Sequence, residues 1–290
     1  MPERITASKT AFGPMIIAAC EQYFPKTQRL VEDNLAVDFL PAGVKLVVRS
    51  CRWGFFRRAL MNLAEKVSPG TWAGIACRKR YIDEKVSAAI ADGLRALVIL
   101  GAGLDTRACR LAAPKGVRAY EVDQPQSIDY KGARMRARFG RVPENVSLVA
   151  VDFERDDLGA ALAENGFPIE MPAIFVWEGV TQYLTEEAVR RTFAFLAKAG
   201  AGSRMVFTYV RKDFLDGTNL FGMEKIYRRS VERLWHYGVA PEAVGGLLNE
   251  YGWEEREQAG HAEFAARYIA PTGRELPVFA IERCVYAEKL

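Results

Sequence analysis

Residues 95–125, RALVILGAGLDTRACRLAAPKGVRAYEVDQP, decide the fold of this chain. The pattern predicts a strand over 97–100, a glycine turn at 101–103, a helix to about Ala113, and a second strand over 117–122. The first strand is an uncharged apolar run, which is typical of a strand covered on both faces of a parallel sheet. The stretch therefore predicts half of a mononucleotide-binding α/β fold.

The turn between strand and helix has features of a ligand site. Gly101 and Gly103 allow the backbone to turn tightly and to approach a ligand closely. Asp123 ends the second strand 20 residues after Gly103, where a carboxylate can accept hydrogen bonds from ribose hydroxyls. The dinucleotide fingerprint has a third glycine where this chain has Thr106. A nucleoside without a pyrophosphate is therefore favoured over NAD, although a plain strand-to-helix turn would also explain the two glycines.

The composition is that of an ordinary globular protein, with 290 residues of which 50% are hydrophobic and 26% charged. The net charge of +4 is too small to favour nucleic acid as a partner. Five scattered cysteines, none in a C-x-x-C pair, predict no metal site and no disulfide framework, and they fit a cytoplasmic protein. Since there is no signal-peptide core and no run of about 18 apolar residues, we expect no membrane partner.

The chain divides into two predicted domains. Residues 1–92 are expected to form a helical N-terminal cap. From residue 93 to 290 strands and helices alternate, which predicts a mostly parallel sheet with late antiparallel strands over 253–258 and 278–287. Residues 211–246 are polar and aromatic and too long for a plain connection, so they predict a lid or substrate wall.

Four helices are predicted in the cap, over 10–20, 30–40, 54–67 and 72–92. Pro41-Ala42-Gly43 is expected to end the second of them. The third is amphipathic, and its apolar face is formed by Phe55, Phe56, Ala59, Leu60, Leu63 and Val67. The fourth carries three successive cations, Arg78, Lys79 and Arg80, of which one or two are expected at the mouth of the sheet.

Acidic residues follow successive predicted strands. Asp123 ends the second strand, Asp152-Phe153 follows the third, and Glu178 follows the fourth. Ligands of open α/β sheets bind outside the carboxyl ends of the strands, so these side chains predict one cleft for a nucleoside. In that cleft Asp152 and Phe153 are candidates for the adenine ring, and Arg78 or Arg80 for a carboxylate.

Four motifs occur in a distinctive order: LGAGLDTR (100–107), EVDQP (121–125), VDF (151–153) and WEGVTQYL (177–184). In this the chain resembles the leucine carboxyl methyltransferase family, most closely its bacterial branch of S-adenosylmethionine-dependent methyltransferases. The similarity extends from about Ser8 to the C-terminus. It implies a Rossmann-like seven-stranded methyltransferase sheet with an N-terminal helical cap and an inserted lid. It also implies S-adenosyl-L-methionine as cofactor and S-adenosyl-L-homocysteine as product.

The resemblance further implies the cofactor contacts. They are Arg78 for the methionine carboxylate, Gly101 beside Gly103 for the methionine end, Asp123 for the ribose, Asp152 and Phe153 for the adenine, and Glu178 for the methionine amino group. Lys9 is matched to a family lysine that also meets the cofactor. The acceptor does not transfer from the resemblance, because family members differ in the lid.

The acceptor group determines whether a base is needed. Methyl transfer from a sulfonium is an in-line displacement that depends mainly on alignment. A carboxylate, with a pKa of about 4, is already ionised at neutral pH, whereas a phenol, with a pKa of about 10, would benefit from a base. The candidate catalytic residues are His236 and Tyr183, and the candidate acceptor contacts are Tyr209, Trp235 and Tyr237. Packing is the alternative role for His236, Tyr183 and Tyr209.

We therefore expect an S-adenosylmethionine-dependent O-methyltransferase that acts on a small molecule, at a carboxylate or hydroxyl of a secondary metabolite. One alternative is an NAD-linked oxidoreductase, against which the missing third glycine and the lack of a Tyr-x-x-x-Lys pair after the fourth strand both count. A second alternative is a catalytically silent ligand-binding protein on the same fold. A protein C-terminus as acceptor and the oligomeric state both stay open.

Overall fold

A computed structural model describes residues 12–290, and a seven-stranded sheet forms its centre. The strands are β1 (Ala96–Leu100), β2 (Arg118–Asp123), β3 (Val146–Ala150), β4 (Ile174–Trp177), β5 (Arg204–Val210), β6 (Trp253–Ala259) and β7 (Glu282–Lys289). Their order is β3-β2-β1-β4-β5-β7-β6. The first five are parallel, and β7 is antiparallel to both β5 and β6. The predicted Rossmann-like α/β fold is confirmed.

Helices cover both faces of the sheet. Five of the named helices precede β1 in the chain: α1 (Phe12–Glu21), α2 (Ala36–Phe39), α3 (Ala42–Ser50), α4 (Gly54–Val67) and α5 (Thr71–Ala91). The later ones are α6 (Pro125–Phe139), α7 (Leu158–Glu164), α8 (Glu186–Leu196), α9 (Lys212–Leu215), α10 (Glu224–Ile226), α11 (Val244–Glu250) and α12 (His261–Phe264). Over residues 12–290 none of these helices combines the length and apolarity that crossing a bilayer requires.

The helix predicted over 30–40 is wrong in most of its length. Only α2 forms there, because the chain before it is irregular and is held by the buried side chain of Asp33. This carboxylate accepts hydrogen bonds from Leu35 N at 3.3 Å and from Thr106 Oγ1 at 2.8 Å, so it competes with the helical backbone pattern. α2 ends at Phe39, directly before Leu40 and Pro41, and Pro41 also precedes α3, where its carbonyl accepts the bond from Lys45 N at 2.9 Å.

The late strands also differ from the prediction. β7 begins at Glu282 rather than at 278, and it lies inside the sheet, so that β6 alone forms the antiparallel edge. The residues just before β7 contribute Phe279 and Ile281 to a small core with Val210, Phe214 and Met223. The predicted lid segment therefore packs against the chain that leads into β7.

One hydrophobic core joins the predicted cap to the sheet. It contains buried residues of α1 and α5, such as Met15 and Tyr81, together with Leu97 and Ile99 of β1. A second core fills the other face of the sheet beneath α7, α8 and α11. The boundary proposed at 92/93 thus marks a change in secondary structure, and the core continues across it.

Candidate functional site

A cavity of about 440 Å³ lies at the carboxyl ends of β1 to β4, within the usual size range of small-molecule sites. Nine of the residues proposed from the sequence line it: Arg78, Gly101, Gly103, Asp123, Asp152, Phe153, Glu178, Tyr183 and Trp235. Further lining comes from the first turn of α1, from α5 and from the lid segment. Lys9 lies outside the described residues.

The glycine turn and the carboxylate after β2 form one unit. Gly101 has φ +70°, and a Cβ there would lie 2.2 Å from Val180 Cγ2, so a side chain would be both strained and crowded. Gly103 N donates to Asp123 Oδ2 at 2.6 Å, and Gln124 N donates to Oδ1 at 2.7 Å. The Asp123 carboxylate is thereby fixed at the wall of the cavity, and each oxygen keeps a lone pair for a ligand.

A buried ion pair supports this turn from behind. Lys131 Nζ lies 2.7 Å from Glu121 Oε2 and donates to the carbonyl of Ala102 at 3.2 Å. Both side chains of the pair are fully buried. Burial raises the pKa of Glu121 to about 7, although Lys131 opposes that shift. The sequence analysis missed this pair, which joins β2 to α6 beneath the glycines.

Arg78 lies in the cavity wall and bonds to two carboxylates. Its Nε donates to Glu178 Oε1 at 2.8 Å, and its Nη1 lies 2.8 Å from both oxygens of Glu282. Within residues 12–290, Nη2 has no such partner. Arg80, the alternative proposed for the same role, does not line the cavity; it is half-buried and pairs with Glu84 at 3.1 Å.

Glu178 is the centre of a larger buried charge network. Arg107 donates from Nη1 to Glu178 Oε2 at 2.5 Å and also to Asp105, and from Nε to Asp83 Oδ1 at 2.6 Å. Burial by itself would raise the pKa of Glu178, but the charges of Arg107 and Arg78 overcome that effect and hold the pKa well below its usual range. The carboxylate is therefore ionised and can only accept hydrogen bonds. Arg107 ends the motif LGAGLDTR, yet its role was not predicted.

Lys79 is the cation in this wall that the sequence analysis left unassigned. Its side chain is buried, with 3% of the residue exposed, and it lines the cavity. Among the described residues it has neither a hydrogen bond nor an ion pair from its ammonium. Its charge lowers the pKa of the nearby carboxylates of Asp105 and Glu178, so the ammonium adds positive charge to the cavity wall.

The predicted adenine contacts lie beyond β3. Asp152 is half-buried, and its Oδ1 accepts from Glu154 N at 3.0 Å. Phe153 is buried in the core beneath α7 and α8 but still borders the cavity. The structure therefore brings these two residues to the same cavity as Asp123.

Three residues proposed for catalysis or acceptor contact do not line the cavity. Tyr209 is buried and donates from its hydroxyl to Gln258 at 2.8 Å, and burial raises its pKa. Burial likewise raises the pKa of Tyr237 to about 12. The side chain of His236 is exposed, while its backbone N donates to Gln182 O at 2.7 Å. In these positions none of the three side chains contacts the cavity directly.

Trp235 and Gln182 do line the cavity, and each has a buried polar atom without a hydrogen-bond partner among the described residues. These atoms are the indole Nε1, a donor, and Oε1 of the amide, an acceptor. The indole ring also lies edge-on to Tyr183, with centroids 6.4 Å apart. Unpaired buried polar atoms are rare in proteins, so a bound molecule is their natural partner.

Comparisons with known sequences identify the fold and the cofactor. The profile of the family described as "Leucine carboxyl methyltransferase" matches residues 11–197. A protein of Mycobacterium ulcerans named as an inferred S-adenosyl-L-methionine-dependent methyltransferase is 42% identical over 70% of this chain and 69% of its own length. A protein of Mycolicibacterium paratuberculosis with the same name is 33% identical over 94% of this chain and 90% of its own.

Solved structures share the architecture at low sequence identity. An inferred methyltransferase from Thermobifida fusca has a TM-score of 0.60 at 19% identity, covering 81% of this chain and 88% of its own. Magnesium protoporphyrin IX methyltransferase of Synechocystis, crystallised with S-adenosylhomocysteine, has a TM-score of 0.50 at 11% identity, covering 83% of this chain and all of its own. These likenesses concern the fold.

Proposed function

This chain belongs to the leucine carboxyl methyltransferase family and is an S-adenosylmethionine-dependent methyltransferase, and on that premise we propose that it methylates an oxygen of a small-molecule carboxylate. The proposal rests on one observation above all. The cavity combines groups suited to the cofactor with an apolar wall, and neither histidine of the chain lies in it.

The residues of the cavity fit the cofactor group by group. When bound, S-adenosylmethionine supplies a methyl group carried by a positively charged sulfur. In this proposal Asp123 accepts from the ribose hydroxyls, and Asp152 with Phe153 holds the adenine. The ionised Glu178 binds the methionine ammonium. Lys79 and the remaining Nη2 of Arg78 bind the methionine carboxylate, whose negative charge complements the two cations.

The charges of the cavity favour an acceptor that is already ionised. Glu178 is a poor base, because two guanidinium groups oppose its protonation. His236, which could otherwise take a proton, is exposed and outside the cavity. A phenol or alcohol acceptor would need proton removal at the time of transfer, whereas a carboxylate needs none. The protein then contributes alignment, which is the main requirement of an in-line displacement.

The other part of the lining is apolar and belongs to the lid segment and its neighbours. Its side chains are Met15, Ile75, Val180, Leu184, Met223, Ile226, Phe279 and Ile281. In the proposal they enclose the hydrophobic body of the acceptor. Trp235 Nε1 donates a hydrogen bond to an oxygen of this substrate, and Gln182 Oε1 accepts a hydrogen bond from one of its donor groups. The two unpaired atoms thereby orient the substrate in the cavity.

Turnover with methyl-labelled cofactor over a panel of carboxylic acids and phenols tests the proposal. We expect labelled product from apolar carboxylic acids, and alkaline hydrolysis should release the label as volatile methanol, because the product is an ester. Label that resists alkali would indicate an ether and contradict carboxylate methylation. Binding of S-adenosylmethionine without transfer to any acceptor would favour the silent ligand-binding protein. Asp129→Ala, an exposed change outside the cavity lining, is the control.

A further inference from the structure

Helices α3 and α4 carry an exposed apolar surface. Seven of the nine large hydrophobic side chains that are exposed within residues 12–290 lie in this hairpin. They are Leu46, Val47, Trp53, Phe55, Phe56, Leu63 and Val67, which we call the α3–α4 surface. Phe55 is 77% exposed and Leu63 60%, and no residue of α4 is buried. Exposed apolar side chains concentrated in one segment of the chain in this way mark a binding surface.

The amphipathic helix predicted over 54–67 is confirmed, but five of the six residues of its predicted apolar face, all except Leu60, are exposed. Leu60, Met61 and Ala64 pack against the protein, while Phe55, Phe56 and Leu63 face solvent. The aromatic rings cluster at the start of α4, where Trp53 and Phe56 have centroids 6.0 Å apart and Phe55 and Phe56 5.6 Å apart. The surface is thus an ordered aromatic patch rather than scattered single side chains.

Positive charge surrounds this patch. Residues 42–67 contain six of the chain's 40 basic residues and one of its 36 acidic residues, so this segment carries +5 and the remainder of the chain −1. The six are Lys45, Arg49, Arg52, Arg57, Arg58 and Lys66. None of them pairs with a carboxylate within the described part of the chain. Arg57 and Arg58 lie near the N-terminus of α4, where the helix dipole already favours anions.

We propose that the α3–α4 surface docks onto an anionic lipid bilayer. Aromatic and aliphatic side chains on one helix face, flanked by unpaired cations, are the features of an interfacial membrane helix. Trp53 and its neighbours enter the boundary between headgroups and acyl chains, and Arg52, Arg58 and Lys66 contact headgroup phosphates. The expectation of no membrane partner rested on the lack of a spanning run, which does not concern binding at a surface.

Charge argues for this partner over a second copy of the chain. A symmetric dimer through the α3–α4 surface would bring two segments of +5 together, which is unfavourable. An anionic bilayer complements the same charge. Docking would also bring the cavity to the membrane, since α4 ends at Val67 and both Ser68 and Thr71 line the cavity.

Co-sedimentation with lipid vesicles tests the proposal. The full chain should sediment with vesicles of phosphatidylcholine plus phosphatidylglycerol, remain in solution with phosphatidylcholine alone, and dissociate as salt screens the charges. Phe55→Ser/Phe56→Ser should weaken binding by roughly tenfold or more, because apolar burial is lost. Arg52→Glu/Arg58→Glu should weaken vesicle binding to a similar extent, because it replaces two positive charges with negative charges that the anionic headgroups repel. Since these side chains are exposed or at the surface, both variants should keep their circular dichroism and their cofactor affinity.

The matched control is Lys198→Glu/Leu290→Ser, which changes an exposed cation and an exposed leucine away from the α3–α4 surface. It should bind vesicles as the parent does. Absence of binding to anionic vesicles at low salt would overturn the proposal, as would equal binding by all variants. Sedimentation velocity supplies the other test: if Phe55→Ser/Phe56→Ser converts a dimer to a monomer and no vesicles are bound, the surface is a self-association site.

Discussion

Arg107 Nη1 lies 2.5 Å from Glu178 Oε2, and neither side chain is more than 8% exposed. Arg78 Nε approaches the other oxygen of the same carboxylate at 2.8 Å. The carboxylate that follows β4 is therefore fixed from both sides by guanidinium groups. Its ionised state is a property of the folded protein, and the cavity keeps a permanent negative charge beside Lys79.

Glu178→Gln should lower the free energy of unfolding by about 3–5 kcal/mol, because it leaves two buried guanidinium groups partly unpaired. The pKa of Glu178 is lower in the folded state than its ordinary 4.5. The contribution of the ionised Glu178 carboxylate to the free energy of unfolding is therefore complete above about pH 4.5 and is lost as the pH falls further. Urea unfolding of both proteins near neutral pH and in acid measures this. The exposed pair of Glu187 with Arg191 gives the control Glu187→Gln, expected to cost less than about 1 kcal/mol.

Gly101→Ala should abolish cofactor binding and destabilise the fold, because the new Cβ would meet Val180 at 2.2 Å. Gly116 has nearly the same φ, +67°, and a Cβ added there would have no atom within 4 Å, so Gly116→Ala isolates the backbone strain of about 1 kcal/mol. Val180→Ala in the Gly101→Ala background should restore part of the stability. Thermal unfolding and calorimetry with S-adenosylhomocysteine measure the two effects. Equal behaviour of the two alanine variants would contradict the crowding argument.

Asp123→Ala should weaken the binding of S-adenosylmethionine by roughly tenfold to a hundredfold, since a hydrogen bond to a charged group contributes about 1.5–3 kcal/mol. Asp123→Asn should lose less, because its amide oxygen can still accept from Gly103 N or from a ribose hydroxyl. Isothermal titration calorimetry compares both with Asp129→Ala. Unchanged affinity in Asp123→Ala would place the ribose elsewhere.

His236→Ala should leave turnover within about twofold of the parent, because the imidazole is exposed and lies outside the cavity. Trp235→Phe should instead raise the KM for the acceptor, since it removes the unpaired indole N–H. Steady-state kinetics with a single carboxylate acceptor separate the two. Loss of turnover in His236→Ala, with cofactor binding intact, would restore the histidine as a base.

Glu121→Gln tests the pair beneath the glycine turn. The folded pKa of Glu121, about 7, lies above the ordinary 4.5, so this group contributes stability below about pH 4.5 that is lost as the pH rises through about 7. The glutamine does not titrate. As the pH rises from about 5 to about 8, the difference in the free energy of unfolding between variant and parent should therefore shift in favour of the variant by about 3 kcal/mol. Urea unfolding at both values measures it, and a pH-independent difference would refute the raised pKa.

The sequence predicts the sheet and the polar side of the cavity well, for a physical reason. Strands buried on both faces are continuous apolar runs, so β1 and β4 are recognisable without partners. In a parallel sheet their carboxyl ends meet at one edge, so Asp123, Asp152 and Glu178 could be placed together from their positions along the chain.

Contacts between distant residues could not be predicted in this way. Glu282, which binds Arg78, is 204 residues away from it, and no local pattern relates the two. Lys79 and Arg80 are adjacent, and only the packing of α5 decides which of them is buried. Periodicity likewise identified the apolar face of α4 but not its direction, because an amphipathic pattern is the same whether the apolar face meets a core or another partner.

The position of β7 has a consequence for how the protein folds. β7 is synthesised after β5 and β6 but lies between them, and it carries Glu282, the partner of Arg78. Until β7 leaves the ribosome, β5 has an unpaired edge, β6 has no neighbour, and the arginine in the cavity lacks one of its two counter-charges. Unpaired strand edges invite aggregation. The nascent chain should therefore be most dependent on chaperones in the interval between the synthesis of β5 and that of β7.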